Sequence, residues 1–367
     1  MCKQQLERLE IIVDKFGSAP TISEMHRRTL VDKGINGPTA AHVIEEVHCP
    51  YNLAYVTFTT GSSAFQNIVG VTFEELPDRI NATLRALSLA NVKKNARALV
   101  TYAPLVNVYS AQGLHEYGLT WSFLHRSSRD ALIVALCREQ PELIIGESGF
   151  LRVALEDATN LGLKAALPRD CIVLCSGTPL DLELLPLAEK CNWHVHDLYG
   201  CQEFGWITLD GCPLREDVTL APSPLGGDYR ELVLGGLPLA DSFLVGAGGH
   251  VCNPNGAILT YRRQRTHPEY EIHVVATPHS DPTIVEKTAR SILRIKSRVV
   301  KVRPDIQCGS GATALELVPS IVPTGQPFKA AATIIGPEKT RLFDSLVEAQ
   351  IAFQKTGKTD PAWVKKS

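Results

Sequence analysis

The stretch Cys171-Ile172-Val173-Leu174-Cys175-Ser176-Gly177-Thr178-Pro179 decides the fold. Its apolar half, β-branched at the centre, reads as a short buried strand, and Ser-Gly-Thr-Pro reads as the turn that ends it. The same unit recurs on either side. Upstream, residues 129–140 predict a helix, Leu143-Ile144-Ile145 a buried strand and residues 150–161 a second helix. Downstream, residues 180–190 predict a helix and residues 193–198 a strand. Short apolar strands separated by one helix each imply a parallel sheet with right-handed crossovers. The expected fold class is therefore α/β, with parallel β-sheet layers and helices in βαβ units. Ligands of such sheets bind outside the carboxyl ends of the strands. Ser176-Gly177-Thr178 and Tyr199-Gly200 fall at such ends.

Working outward, Leu6, Leu9, Val13 and Phe16 recur at helical spacing near the start, and Phe73, Leu76, Ile80, Leu84 and Leu87 mark another helix. After about residue 210 the chain turns rich in Gly and Pro with short apolar runs, which predicts a smaller β-rich subdomain of antiparallel strands. Residues 294–303 alternate basic and apolar side chains before Pro304-Asp305. A proline disrupts regular elements, so a boundary is expected there. It would divide a large domain, residues 1–303, from a short C-terminal unit, residues 304–367, whose one clear helix carries Leu342, Leu346, Ala349 and Phe353.

Composition sets the outer limits. A net charge of −2 over 367 residues, with no basic stripe, argues against a nucleic-acid partner. No apolar run approaches the ~18 residues of a membrane span, and the polar, acidic start lacks the apolar core of a signal peptide. The ten cysteines are scattered without a Cys-x-x-Cys pair, which fits reduced, buried thiols in a cytoplasmic protein.

Two motifs carry chemistry. Thr57-Phe58-Thr59-Thr60-Gly61-Ser62-Ser63 gathers five hydroxyls around one glycine after the strand-like Ala54-Tyr55-Val56. Such a loop can turn hydroxyls and backbone N–H groups toward a polyphosphate, although a Ser/Thr/Gly cluster alone is more often an ordinary loop. Asp197-Leu198-Tyr199-Gly200-Cys201-Gln202-Glu203 ends a strand with an aromatic ring, a glycine and, three residues on, a carboxylate. That is a set able to stack a purine and hold a divalent cation, or a core aromatic followed by a surface ion pair. Together, in this order, the two suggest ATP chemistry. His194-x-His196 lacks further ligands at metal spacing and reads as structural or pocket-lining.

Residues 55–63 with Gly70-Val71-Thr72 resemble the signature loop of the ANL adenylate-forming superfamily, which contains acyl- and aryl-CoA ligases and nonribosomal peptide adenylation domains. Ala103-Pro104-Leu105 with His115-Glu116-Tyr117-Gly118 is similar to its acyl-pocket landmark. Ser176-Gly177-Thr178-Pro179-Leu180 is similar to its adenine turn, and residues 197–203 to its Tyr-Gly-x-Thr-Glu motif. The resemblance covers roughly residues 50–305. It implies ATP and Mg²⁺ as cofactors and a set of site residues. Glu203 would bind the metal and act in catalysis with Thr59 and Thr60. The nucleotide would lie among Gly61, Ser62, Ser63, Ser176, Gly177, Thr178, Asp197, Tyr199, Gly200, Asp241 and Arg294, and the acid among His115, Tyr117, Gly118 and His196. The chain departs from the pattern in several places. Phe65-Gln66-Asn67 stands where the loop usually has a lysine, Gln202 replaces the threonine, no clean Tyr-x-Thr-Gly-Asp motif is present, and the hinge signature is blurred over residues 294–303. The reduced first subdomain resembles that of phenylacetate-CoA-ligase-like members, and the small size, degenerate loop and cropped terminal unit resemble the short type of griseoluteic-acid-type phenazine biosynthesis.

Aromatic and imidazole side chains in the acid set suit a flat acid. The expected activity is ATP-dependent adenylation of an aryl carboxylate, such as a phenazine carboxylate, for a downstream reductase or a thiol or amine acceptor. Two alternatives stand beside it. One is a long-chain acyl-AMP former that transfers to a protein thiol, with Cys201 or Cys308 as the thiol. The other is a non-catalytic nucleotide- or acid-binding protein on the same fold. Glu203→Gln is expected to cut acid-dependent ATP–pyrophosphate exchange about 10²–10³-fold while the protein stays folded, the scale of one lost transition-state charge contact. Exchange at the wild-type rate in the variant would remove Glu203 from the site.

Overall fold

The computed structural model describes residues 2–15, 53–59, 67–72, 75–101, 111–124, 128–201, 204–247, 256–258, 260–265, 270–296, 300–320 and 330–357. Helix α1 (Cys2–Lys15) opens the chain, and strands β1 (Leu53–Thr59) and β2 (Asn67–Thr72) form an antiparallel pair. There follow α2 (Leu76–Leu89), β3 (Arg97–Val100), α3 (Ala111–Tyr117), β4 (Thr120–Phe123), α4 (Arg129–Glu139), β5 (Leu143–Gly146), α5 (Ser148–Asn160), β6 (Ile172–Cys175), α6 (Leu184–Glu189) and β7 (His194–Cys201). Next come β8 (Gly205–Leu209), β9 (Cys212–Pro213), β10 (Val218–Pro222), β11 (Tyr229–Leu234), β12 (Leu237–Ala247), β13 (Gly256–Ile258) and β14 (Gln264–Arg265). The chain continues through β15 (Tyr270–Thr277), α7 (Pro282–Lys296), β16 (Val300–Cys308), β17 (Ala314–Pro319), β18 (Ala332–Ile335) and α8 (Pro337–Gly357).

The main sheet has the order β4-β3-β5-β6-β7-β8-β9, parallel through β7 and antiparallel thereafter. The expected α/β class is what the chain adopts. Side chains alternate across a strand, and both faces here are covered. Ala98, Val100 and Ile145 face α2 and α3, while Leu99, Ile144 and Val173 face α4, α5 and α6, with Leu9 of α1 on that same side. Burial on both sides explains why these strands read as continuous apolar runs. Ser128 caps α4 by accepting a hydrogen bond from Ala131 N at 3.1 Å. Glu147 caps α5 from Gly149 N and Phe150 N at 3.0 and 2.7 Å. Such caps satisfy N–H groups that have no partner within the helix.

Antiparallel strands do follow residue 210. They form one sheet of order β10-β11-β12-β13, with β14 paired to β12, and a second of order β16-β15-β17-β18. One apolar core joins these sheets to the main one, running from Tyr199 and Ile207 through Phe243, Val274 and Val285 to Phe343 and Val347 of α8. At Gly235, in a left-handed turn with φ of 53°, a Cβ would lie 2.7 Å from Leu342 Cγ, so α8 seats directly on this turn.

The boundary expected between residues 303 and 304 falls inside β16. That strand pairs in parallel with β15 along Val300–Val302 and again at Gln307 and Cys308, so both sides of Pro304 belong to one sheet. Residues 294–303 divide between the end of α7 and the start of β16. The helix expected over 180–190 is shorter, and Thr260–Arg262 forms a 3₁₀ turn ahead of β14.

A buried ionic network also crosses that position. Arg215 donates to Glu75 at 2.6 Å and to both oxygens of Asp217 at 3.0 and 2.9 Å, and only 3% of its side chain is exposed. Arg341 of α8 reaches Glu75 at 3.3 Å, Asp217 at 3.1 Å and Asp78 at 2.7 Å. Removing one member of a buried ion pair leaves its partners uncompensated. Arg215→Leu is therefore expected to cost about 3–5 kcal/mol of unfolding free energy, measured by urea titration. A change below 0.5 kcal/mol, the range of an ordinary surface substitution, would contradict the network's role.

Candidate functional site

A polar cleft opens at the carboxyl ends of β6 and β7, lined by Gly177, Thr178, Pro179, Asp197, Leu198, Tyr199, Gly200, Thr260 and Arg263. Three pieces of chain build it. The first is the turn after β6. Ser148 Oγ accepts from Asp181 N at 2.9 Å, Thr178 Oγ1 donates to Glu147 at 2.6 Å, and Arg152 holds Asp181 at 2.7 Å, so the turn is tied to the start of α5.

The second piece is the end of β7. Its pairing with β8 slips between Tyr199 and Gly200. A Cβ at Gly200 would lie 2.5 Å from Gly205 O and 2.8 Å from the Trp206 ring, so strand packing alone demands glycine there. The third piece is the 3₁₀ turn. Thr260 Oγ1 donates to Asp197 Oδ2, Arg263 N donates to Thr260 O at 3.2 Å, and the following β14 pairs with Asp241 and Ser242 of β12.

Tyr199 is buried at 4% exposure, its hydroxyl donates to Asp241 Oδ2 at 2.8 Å, and its ring meets Phe243 edge-on at 5.0 Å. Burial first, then the Asp241 carboxylate, hold this phenol neutral well above its ordinary range. The Arg263 guanidinium lies 5.6 Å from the ring centroid. Burial raises the Asp197 carboxyl to about 6; the Thr260 hydrogen bond and Arg263 pull it down, while Asp210 pushes it up.

The structure thus brings together Ser176, Gly177, Thr178, Asp197, Tyr199 and Gly200, and links Asp241 to them through the Tyr199 hydroxyl. Ser176 is buried, with its N–H on Gly146 O at 2.8 Å. His115, Tyr117 and Gly118 do not join them. Tyr117 donates to Val92 O at 2.7 Å and Asn95 N to Gly118 O at 3.0 Å, which puts this end of α3 at the amino ends of β3 and β4, across the sheet from the cleft. His115 lies exposed on the last turn of the same helix. His196 is adjacent to Asp197 on a strand and so faces the other side, where it bonds Asp210 at 2.7 Å. Thr59 ends β1 and Arg294 lies in α7, with neither side chain among those described; Thr60, Gly61, Ser62, Ser63 and Glu203 lie outside the described residues.

Sequence reasoning missed Thr260, Arg263 and Glu147. Three arginines within residues 261–265 were the available signal for Arg263. Among the described residues no group of three His, Cys, Asp or Glu side chains could hold a metal. The cleft carboxylates are engaged by protein donors, Asp197 by Thr260, Glu147 by Thr178 and the α5 cap, and Asp241 by Tyr199. The carboxylate expected to hold magnesium, Glu203, lies outside the described residues. Among the described residues no helix is long and apolar enough to cross a membrane.

Residues 210–354 match the family described as MadH C-terminal domain. The chain is 59% identical over 362 residues to an ACP-SH:acetate ligase of Malonomonas rubra, an alignment covering 99% of each chain. The chain belongs to this ligase family. Among solved structures it is similar to a 2-hydroxyisobutyryl-CoA ligase complexed with 2-HIB-AMP and CoA, at TM-score 0.48 and 12% identity over 89% of this chain and 88% of that one. It is also similar to the o-succinylbenzoate coenzyme A synthetase of Bacillus subtilis in complex with AMP, at TM-score 0.43 and 16% identity over 65% and 54%. At these scores the structural likeness assigns no activity.

The Asp197 shift has a definite sign. A carboxyl whose folded pKa lies above its unfolded value of about 3.9 binds the extra proton in the folded state, so stability falls as pH rises from about 4 through about 6. Asp197→Asn should flatten that part of the stability curve and exceed the wild type above pH 6. Denaturant unfolding of both proteins from pH 4 to 7 tests it, and parallel curves would show that the carboxyl does not titrate as described.

Proposed function

We propose that the protein activates acetate as acetyl-AMP and passes the acetyl group to the thiol of an acyl carrier protein. The observation that carries this reading is the 59% identity, over 99% of both chains, to a protein named ACP-SH:acetate ligase. In the first step an acetate oxygen attacks the α-phosphorus of ATP and pyrophosphate leaves. In the second the carrier thiolate attacks the acetyl carbon and AMP leaves, with one proton released to solvent from the thiol. The mixed anhydride makes the second step feasible, since a free carboxylate is a poor electrophile.

The cleft at residues 177–179, 197–200, 260 and 263 is where we place the nucleotide, at the position that ligands take in parallel sheets. Tyr199 lines it, with its ring packed edge-on against the buried Phe243, and Thr178 and Thr260 tie the two flanking turns to Glu147 and Asp197. Developing charge on the α-phosphate is stabilised by preorganised donors rather than by a covalent enzyme intermediate. Acetate takes the place of the aryl acid. The aryl expectation relied on His115, Tyr117 and His196, which the fold directs away from the cleft.

With purified protein, ATP–pyrophosphate exchange should depend on acetate and show little response to benzoate. Mass spectrometry should then find one acetyl group added to the thiol-bearing carrier protein. Exchange driven by benzoate but not acetate would sink the reading, and so would acetyl-AMP formation with no transfer to any carrier thiol.

A further inference from the structure

Residues 287–303 carry seven of the chain's 37 lysines and arginines and no aspartate or glutamate, against a net charge of −2 for the whole. Cations near the end of a helix complement its dipole, which accounts for one or two of these charges and not for seven. The run is divided between α7 and β16. On β16 the charges are spent within the sheet, Lys301 on Glu271 and Arg303 on Asp305 and Glu316. Helix α7 presents the rest. Val285, Thr288 and Ala289 are buried, while Thr283, Glu286, Lys287 and Arg290 are exposed on the opposite side. Arg290 meets Glu286 across one turn, an exposed pair of the kind that contributes little. Arg294 and Lys296 follow before the helix ends.

Placement relates this helix to the cleft. Strands β15 and β16 are parallel neighbours joined by α7, so the basic end of the helix lies at the amino ends of both. That end of β15 is entered from β14, and the five residues from Arg265 to Tyr270 reach at most about 18 Å. Strand β14 directly follows the turn of Thr260 and Arg263 that forms one wall of the cleft. A partner seated over this end of α7 therefore sits at the end of the sheet that the chain enters from the cleft.

We propose that the exposed face of α7, centred on Lys287 and Arg290, docks the carrier protein through an acidic patch beside its thiol-bearing arm. This rests on the proposed function, which makes the carrier protein the acceptor. Opposite charge across an interface steers encounter and fixes orientation more than it adds affinity. That suits an acceptor which has to arrive, react and leave in every turnover.

The test measures three rates on the full-length protein. They are acetate-dependent ATP–pyrophosphate exchange, acetyl transfer to the thiol-bearing acyl carrier protein, and acetyl transfer to pantetheine, a small neutral thiol. Lys287→Glu combined with Arg290→Glu should lower kcat/KM for the carrier about tenfold or more, the lower end of steered association. Exchange and transfer to pantetheine should stay at wild-type rates. Raising the salt from about 50 to about 300 mM should slow wild-type transfer to the carrier and leave the variant nearly unaffected, because salt screens exposed charges. Lys287→Gln combined with Arg290→Gln should give an intermediate loss, and it decides the question where the double reversal harms the fold and exchange falls too. Carrier transfer at the wild-type kcat/KM in both variants would remove the docking site and leave the proposed function standing. Wild-type protein that acetylates no carrier thiol would overturn the proposed function and this inference together.

Discussion

Strand β7 is the element on which three cores depend. Val195 packs toward α4–α6, Leu198 toward α2 and α3, and Tyr199 toward the antiparallel sheets and α8. The strand pairs in parallel with β6 along its first half and antiparallel with β8 along its second, with an irregular register between Tyr199 and Gly200. At that slip the backbones come so close that a single Cβ at Gly200 would overlap Gly205 O. A bulge of this kind bends a strand and re-aims its side chains. Here it follows directly on Tyr199, which still alternates with Leu198 and whose ring enters the next core.

The cleft is a consequence of this change of direction. It lies where β7 leaves the parallel sheet, and its walls come from neighbours on either side, the β6 turn tied to α5 and the 3₁₀ turn tied to Asp197. Each wall is held by hydrogen bonds whose protein partners are themselves fixed. The carboxylates nearby serve as acceptors for those contacts, which leaves positive charge and backbone donors facing the opening. Such a surface suits an anionic ligand without any rearrangement of the acids around it.

The second half of the chain is tied to the first by apolar packing and by buried charge. Phe343 and Val347 of α8 share a core with Tyr199, Leu342 sits against Gly235, and Arg341 joins Arg215 in a network with Glu75 and Asp217. An ionic network with 3% of Arg215 exposed is strongly coupled to its surroundings, because each charge there depends on the others for solvation. Residues on both sides of position 304 therefore belong to one packed body.

Local pattern was enough to determine the βαβ alternation. The runs Leu143-Ile144-Ile145 and Ile172-Val173-Leu174 are apolar on both faces, and the helices between them carry apolar positions at helical spacing, so burial on both sides is written in consecutive residues. The carboxyl-end position of Gly177 and Tyr199 followed from the same pattern. Tertiary structure decided the rest. Whether Gly200 serves a ligand or a neighbouring strand depends on Trp206, whether Pro304 ends a domain depends on pairing with β15, and Tyr117 is spent on Val92 at the far edge of the sheet. Arg263 reaches the cleft from a turn more than sixty residues after Asp197, because Thr260 and Asp197 bond across a sequence separation of 63. Contacts of that range arise from the packing of whole sheets, which no local periodicity encodes.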